Sequence, residues 1–491
     1  MAITTVSSHP QWLSGPMRML IGEDWVQAGS GESLIDIDPA TCEPLAEVPA
    51  GDAADIDAAV GAARQARAGW AGASPDRRSR VLWRMSELVE QHADELALLD
   101  TLDSGKPLLS ARGIDLPAAA QMLRYWAGWP TKIEGATIPI STPGSYQSYT
   151  LCEPVGVVGV IVPWNAPALF VAWKVGAALA CGNTVVLKPA EETPLSALRL
   201  AELGLEAGLP AGALNVVTGF GETAGAALAA HPDVDKVAFT GSVETGRRVV
   251  GSALGNLKKV SLELGGKSPN IIFSDADLAS AIPGAASAIF FNQGCVCAAG
   301  SRLFVHESVF DEVIAGVIAA AERIRLGPGI DPHTRMGPLV SEAQRDRVSG
   351  LVRSGVEAGA RPVTGGRCRE GPGFFYEPTV LLDVEPDMRV VREEIFGPVV
   401  VAEPFGEVEE VIAKANDTAY GLAAGVWTRE LATVHALAMR IRAGTVWVNT
   451  YNVVDPALPF GGVRQSGWGR DLGRAALDLY TETKAVCIRV G

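Results

Sequence analysis

Three side chains in this sequence have the types and surroundings that covalent chemistry on a carbonyl group requires. Cys297 lies in Phe290-Phe-Asn-Gln-Gly-Cys-Val-Cys-Ala-Ala-Gly-Ser-Arg302, a glycine-bounded run of small residues between an apolar helical segment and a strand-like one. A thiol at a loop or helix end can meet a substrate, and its thiolate is a strong nucleophile. Glu263, in Ser261-Leu-Glu-Leu-Gly-Gly-Lys-Ser-Pro-Asn270, sits between two leucines at the end of a strand-like run and before a double glycine. Apolar neighbours disfavour its charged form and the glycines permit close backbone approach, which describes a partly buried general base raised toward neutrality. Asn165, in Pro163-Trp-Asn-Ala-Pro167, is an amide held between prolines at the carboxyl end of a buried strand, a rigid donor of the kind that forms an oxyanion hole.

Other chemistries are less well served. Cys295 and Cys297 form C-x-C, without the spacing of a zinc knuckle, a matching pair or a nearby histidine, so no metal site is expected. The six histidines (9, 92, 231, 306, 333 and 435) are far apart in sequence, which leaves a carboxylate as the better base for a thiol. Two segments have the composition of a dinucleotide site. Phe239-Thr-Gly-Ser-Val-Glu-Thr-Gly246 follows the strand-like Lys236-Val-Ala-Phe239 and opens a helix at Arg247, so the amides around Thr240, Gly241 and Ser242 can face a pyrophosphate. Gly219-Phe-Gly-Glu-Thr-Ala-Gly225, containing Gly221 and Gly225, is one residue too long for G-x-G-x-x-G. Lys188 and Glu191, in Val185-Val-Leu-Lys-Pro-Ala-Glu-Glu-Thr-Pro194, end a buried strand, where a carboxylate can accept both hydroxyls of an adenosine ribose.

The elements that must hold these groups alternate between strand and helix. Helical periodicity dominates Asp55 to Leu102. From Val155 the pattern becomes Val155–Val162, a helix over Ala166–Ala180, Asn183–Leu187, a helix over Ser196–Ala207, Asn215–Val217, a helix over Glu222–Ala230, and Lys236–Phe239. Apolar strands separated by short helices predict a doubly wound parallel sheet that binds nucleotides at its carboxyl edge. A second α/β pattern follows Gly265-Gly266, with strands expected at Asn270–Phe273, Arg302–Val305, Val399–Phe405 and Thr445–Asn449, and helices at Leu278–Phe291 and Ser308–Arg323. Residues 139–158 and the last ~20 look extended and remote from both cores, suited to pairing with another subunit.

Length and composition bound the function. At about 100–200 residues per domain, 491 residues make two or three packed units, and 48% hydrophobic with 20% charged residues excludes a disordered chain. A formal charge of −15 without a Lys/Arg-rich run makes nucleic acid a poor partner, although local amides can still hold an anionic dinucleotide. The seven cysteines lack disulfide spacing, and neither a signal peptide nor an anchor is suggested, so a reducing cytoplasm is expected. Val155 to Trp173 carries no charge, but Pro163 and Pro167 interrupt it, and it reads as strand, turn and helix rather than as a membrane span.

In combination, these segments resemble the aldehyde dehydrogenase superfamily from Trp25 to the C-terminus. Pro163-Trp-Asn, Lys188-Pro-Ala-Glu, Phe239-Thr-Gly-Ser, Glu263-Leu-Gly-Gly-Lys-Ser-Pro, Asn292-Gln-Gly-Cys-Val-Cys, Glu394-Ile-Phe-Gly-Pro and Pro459-Phe-Gly-Gly-Val-Arg-Gln-Ser-Gly stand in the family's order and at its spacing. The resemblance implies a Rossmann-type cofactor domain (1–138 and 159–262), an α/β catalytic domain (263–470) and a small β oligomerisation element (139–158 and 471–491), assembled as a homodimer or homotetramer. It assigns the nucleophile to Cys297 and leaves Cys295 as a redox guard or filler. It further implies oxyanion donors at Asn165 and the Cys297 N–H, a water-activating base at Glu263, and a proton-relay lysine at Lys174. The cofactor contacts it implies are Trp164, Lys188, Glu191, Gly221, Gly225, Thr240, Gly241 and Ser242, with Glu394 and Phe396 on the nicotinamide-ribose side.

The activity implied is oxidation of an aldehyde to its acid through a Cys297 thioester. NAD is favoured over NADP because Glu191 repels a 2′-phosphate, an effect Lys188 partly offsets, so NADP remains possible. Tunnel residues by family position are Met122, Trp173, Phe291, Val454 and Phe460, whose apolar character favours a hydrophobic aldehyde. Asn449 to Phe460 looks similar to phenylacetaldehyde-type members, a pointer to aryl or medium aliphatic substrates. Two rivals are a coenzyme A-acylating enzyme, which the retained Glu263 disfavours, and a catalytically silent scaffold protein, which the intact Cys297, Glu263 and Asn165 disfavour.

Overall fold

Residues 10–490 are described by a computed structural model, so His9, the first nine residues of the expected cofactor domain and Gly491 lie outside it. The apolar runs after Val155 assemble into an eight-stranded sheet ordered Gly467–Trp468, Lys259–Leu264, Lys236–Gly241, Val157–Ile161, Thr184–Lys188, Leu214–Val216, Met19–Ile21 and Asp24–Val26. From Lys259–Leu264 to Leu214–Val216 neighbouring strands run parallel, and the flanking strands are antiparallel. Every residue of Val157–Ile161 and Thr184–Lys188 is buried, as continuous apolar runs require when helices cover both faces of a sheet.

The order of these strands creates the crevice. After Val157–Ile161 the chain passes through the helix Pro167–Ala180 to Thr184–Lys188, then through Leu195–Glu206 to Leu214–Val216 on one side. It then crosses back to place Lys236–Gly241 on the other side of Val157–Ile161. The carboxyl ends of Val157–Ile161 and Lys236–Gly241 therefore flank a topological switch point, where the two following connections diverge and leave a gap for a ligand.

The helical stretch expected over Asp55–Leu102 is three helices, Ala53–Ala71, Pro75–Gln91 and Ala93–Ser104. Asp52 begins the first with a reciprocal capping box, Ser74 caps the second with Pro75 at its first position, and Gly105 in a left-handed conformation ends the third. The uncharged Val155 to Trp173 stretch is a strand, a turn and the start of a helix, and among the described residues no helix is long and apolar enough to cross a membrane.

A seven-stranded sheet contains all the strands expected after Gly265-Gly266, in the order Arg361–Thr364, Thr379–Leu382, Val399–Phe405, Arg302–His306, Pro269–Ile272, Ala423–Trp427 and Thr445–Val448. All its neighbours are parallel except Arg361–Thr364. Ala423–Trp427 escaped the sequence pattern because its alanines and glycine carry little strand signal; burial at every position makes it a strand. The strand that carries Glu263 extends to Leu264, and Glu263 pairs with Gly467, so the chain returns to the first sheet after completing the second. Tyr146–Pro154 and Thr481–Arg489 pair antiparallel in a separate two-stranded ribbon, within the two segments expected to be extended.

Candidate active site

The backbone before the thiol is held in an uncommon shape. Asn292 and Gln293 both have positive φ (49° and 57°), and Gly294 follows at 71°. Left-handed non-glycine residues cost roughly 1–3 kcal/mol each, so such a run persists only where its surroundings over-determine it. Here the Asn292 amide donates to the Asn165 carbonyl (2.8 Å), the Gln293 amide donates to the Pro338 carbonyl (3.0 Å), and a Cβ on Gly294 would overlap the Gly397 carbonyl. The result is a fixed turn that presents Cys297, half-buried, to a cleft of about 520 Å³.

That cleft is lined by Trp164, Asn165 and Phe170 from one side of the switch point and by Thr240, Gly241 and Ser242 from the other. Glu263, Cys297, Glu394 and Phe396 complete the part of it that bears on chemistry. Three elements far apart in sequence thus bring the thiol, the carboxylate and the amide to one space. The Asn165 side chain donates one N–H to the Cys295 carbonyl (2.8 Å), which orients it, and an amide has a second N–H to offer. Its backbone carbonyl is held by Lys106 (2.9 Å), itself paired with Asp115.

Electrostatics in the cleft favour neutral resting groups. Burial pushes the Cys297 thiol up to about 12, with the nearby Glu263 and Glu394 adding to the effect. Burial also holds the Glu263 carboxyl well above the ordinary carboxylate range; Asp471 raises it further, while Lys174 and Arg470 oppose. One oxygen of Glu263, Oε2, is buried without a hydrogen-bond partner, so this carboxyl is not tied into a structural network. Lys174 is buried and paired with Asp471 at 2.6 Å, and this ion pair lies close enough to bias Glu263 from both directions.

The remaining expected contacts fall into groups. Trp164 packs edge-on against Phe396 with ring centroids 5.1 Å apart, and Phe396 is itself in the left-handed region. Glu394 lies against Gly265, where a Cβ would overlap its carboxylate, and accepts the Gly266 N–H at 3.3 Å. Ser242 caps the helix Val243–Ser252, leaving the N-terminal amides of that helix at the crevice. Lys188 and Glu191 pair at 2.7 Å, Glu191 accepts the Gly221 N–H at 3.4 Å, and Gly225 lies against the Lys188 side chain. Burial pushes Glu191 up, but the Lys188 ammonium together with the Glu191 and Gly221 N–H groups holds the carboxyl below its usual range. Lys188, Glu191, Gly221 and Gly225 are together, but they do not line the Cys297 cleft.

Of the expected tunnel residues, Met122, Trp173 and Phe460 are buried in one apolar cluster, Phe291 is half-buried and Val454 is 45% exposed. Phe170, absent from the expected set, does line the cleft; it stacks on Trp173 (5.5 Å), which meets Phe460 edge-on (5.6 Å). Helical spacing places Phe170 and Trp173 on one face, a signal available in the sequence. Asp471 was also missed, because it follows the last recognisable motif and reaches Lys174 only through folding. Cys295 is buried beside apolar residues, with its thiol toward the Phe396 carbonyl (3.4 Å).

A switch-point crevice beside a helix N-terminus, with a thiol, a buried carboxyl and an amide on one wall, defines an oxidoreductase of carbonyl substrates. Comparison with known proteins gives the family. The chain belongs to the aldehyde dehydrogenase family, whose model matches residues 25–486, and it is an NAD(P)-dependent oxidoreductase. It is 51% identical over 500 residues to phenylacetaldehyde dehydrogenase of Pseudomonas fluorescens, with 99% of each chain covered. It is 48% identical over 472 residues to mitochondrial benzaldehyde dehydrogenase of Antirrhinum majus, covering 96% of this chain and 88% of that one. The structure superposes with a TM-score of 0.96 on the NAD+ complex of aldehyde dehydrogenase from Bacillus cereus, at 49% identity and 98% coverage of both.

Proposed function

We propose that this enzyme oxidises aryl and medium aliphatic aldehydes to carboxylic acids with NAD, using Cys297 as nucleophile, Asn165 as oxyanion donor and Glu263 as base. The observation that carries this reading is the convergence of the three on one cleft at the switch point. The cleft fits a dinucleotide. The Thr240 hydroxyl is buried without a partner, amides open the helix after Ser242, and the missing side chain at Gly265 leaves room for Glu394. Trp164, Gly241, Ser242, Glu394 and Phe396 would hold the nicotinamide half and pyrophosphate, while Lys188, Glu191, Gly221 and Gly225 would hold the adenosine half. Bound there, NAD accepts the hydride lost by the substrate carbon.

The chain's own residues do the rest. Burial raises the Cys297 thiol, so it attacks the aldehyde carbon largely as the thiol, and its proton passes to water or to the developing alkoxide as the carbon–sulfur bond forms. Asn165 and the Cys297 N–H stabilise the oxyanion that forms, each such donor contributing about 3–4 kcal/mol in related settings. After oxidation the acyl group remains on Cys297 as a thioester. Glu263 then takes a proton from water, the oxygen attacks the thioester carbonyl, and acid leaves as the thiol is regenerated. A carboxylate holds one proton, so Glu263 must discharge the proton it takes before accepting the next. The Lys174–Asp471 pair supplies polar groups on that side of the carboxyl.

The stacked Phe170 and Trp173, with Phe460, support an aromatic substrate, since planar rings pack favourably on such a ladder. A panel of aldehydes read by NADH absorbance tests the assignment. Phenylacetaldehyde and benzaldehyde should give kcat/KM values at least about tenfold above acetaldehyde, one apolar contact set of about 1–3 kcal/mol. Acid should form without coenzyme A, and NAD should outperform NADP because the Glu191 carboxylate would repel a 2′-phosphate while accepting from free ribose hydroxyls. Preference for small polar aldehydes, a requirement for coenzyme A, or a clear preference for NADP each reject the corresponding part.

Seven unpaired cysteines suit a reducing cytoplasm. The cofactor, catalytic and oligomerisation divisions expected at 1–138 with 159–262, 263–470, and 139–158 with 471–491 remain our reading. Exposed Ile138, Ile140, Leu151, Ile488 and Val490 on and beside the ribbon support its use between subunits of a homodimer or homotetramer.

A further inference from the structure

Asn292 opens the turn that carries Cys297, and it does so in the left-handed region, at φ 49° and ψ 44°. Asparagine enters this region more readily than most residues, but glycine would hold the same backbone at no steric cost. What the position gains from asparagine is its amide. The Asn292 Nδ2 donates to the Asn165 backbone carbonyl at 2.8 Å and to the Cys295 backbone carbonyl at 3.3 Å. Both partners only accept, so the nitrogen with its two N–H groups must face them, and the orientation of the amide is fixed by its surroundings.

The two carbonyls belong to the two segments that must act together. The Cys295 carbonyl also receives the Asn165 side-chain N–H at 2.8 Å, and the Cys295 N–H returns to the Asn292 carbonyl at 2.8 Å. The Asn165 carbonyl also receives the Lys106 ammonium at 2.9 Å. Each carbonyl therefore accepts two donors, which fills its lone pairs, and Asn165 is tied to the nucleophile segment through both its backbone oxygen and its side-chain nitrogen. One N–H of the Asn165 amide is left over. From Cys295 the chain runs directly into a turn closed by the Ala299 N–H on the Val296 carbonyl at 2.9 Å, with Cys297 inside it.

We propose that Asn292 is a positioning residue for the oxyanion site: its one amide joins the Asn165 backbone to the nucleophile turn and so holds the free Asn165 N–H and the Cys297 N–H at a fixed separation about the substrate oxygen. The inference rests on the reading of Asn165 as an oxyanion donor. Such donors act because they need not reorient as charge develops, so loosening one costs rate even though every reacting group is still present.

Asn292→Gly is the test substitution, since glycine keeps the left-handed backbone and removes only the amide. With NAD and phenylacetaldehyde the full-length variant should lose about 10–100-fold in kcat, with KM within about threefold, because an oxyanion forms in both thiol attack and thioester hydrolysis. Alkylation of Cys297 by iodoacetamide, read by mass at the Cys297 peptide, displaces iodide and builds no oxyanion, so its rate should stay within about twofold of wild type. Asn165→Ala alone should lose about 10²–10³-fold. Adding Asn292→Gly to it should cost no more than about twofold further, because the donor that Asn292 positions is already gone. Asn292→Asp also tolerates the left-handed backbone but turns only acceptors toward the two carbonyls; it should show the same coupling to Asn165, and it provides the answer if the glycine variant folds poorly. Full kcat in Asn292→Gly, a loss that adds undiminished to that of Asn165→Ala, or an alkylation rate that falls along with kcat overturns the positioning role. Full activity in Asn165→Ala overturns the oxyanion reading instead.

Discussion

Cys297→Ala should lower aldehyde-dependent NADH formation by at least about 10³-fold, because covalent capture of the substrate depends on that sulfur and the other groups of the cleft cannot replace it. NADH affinity should stay within about twofold of wild type, since alanine removes one atom from the wall of the cleft and leaves its backbone donors in place. Cys295 does not rescue the variant: its thiol is buried against the Phe396 carbonyl, and burial pushes it far above the ordinary thiol range. Steady-state oxidation compared with a fluorescence titration of NADH checks both halves. Retained turnover in the alanine variant would mean that another residue forms the bond to substrate.

The second large effect is expected at Glu263. Glutamine there keeps the shape but cannot accept a proton, so thioester hydrolysis should slow by about 10²–10⁴-fold, the usual contribution of a positioned base. The same substitution removes a carboxyl that, once ionised, pushes Cys297 upward, so thiol attack is impaired less than hydrolysis. Mixing Glu263→Gln with NAD and phenylacetaldehyde should therefore give one equivalent of NADH, then a stall, with an acyl adduct on Cys297 detectable by intact-protein mass. The wild-type enzyme should also show an acid limb. Burial and Asp471 raise Glu263, so its basic form appears as pH rises through a value well above 4.5, and kcat falls as pH drops through it. That limb should vanish in the glutamine variant; unchanged steady-state turnover with no adduct would remove Glu263 from the hydrolytic step.

Much of this site was legible as local chemistry. Cys297, Glu263 and Asn165 each stand beside glycines or prolines that constrain the backbone, and such constraints leave a trace in the order of residue types. The parallel strands through Val157–Ile161 and Thr184–Lys188 were equally visible, because a strand buried on both faces must be apolar throughout. Ala423–Trp427 was not: small residues satisfy burial in either helix or strand, and only its neighbours Pro269–Ile272 and Thr445–Val448 decide between them.

By itself, then, the order of residues determined which groups react and that a twisted parallel sheet carries them, since both follow from short-range sterics and hydrophobic periodicity. Folding alone decided their environment. Asp471 reaches Lys174 across 297 positions, and Phe170 turns into the cleft while Val454 turns out to solvent. These depend on which surfaces exclude water together, and the desolvation that raises Cys297, Glu263 and Glu394 is a property of the packed whole rather than of any segment.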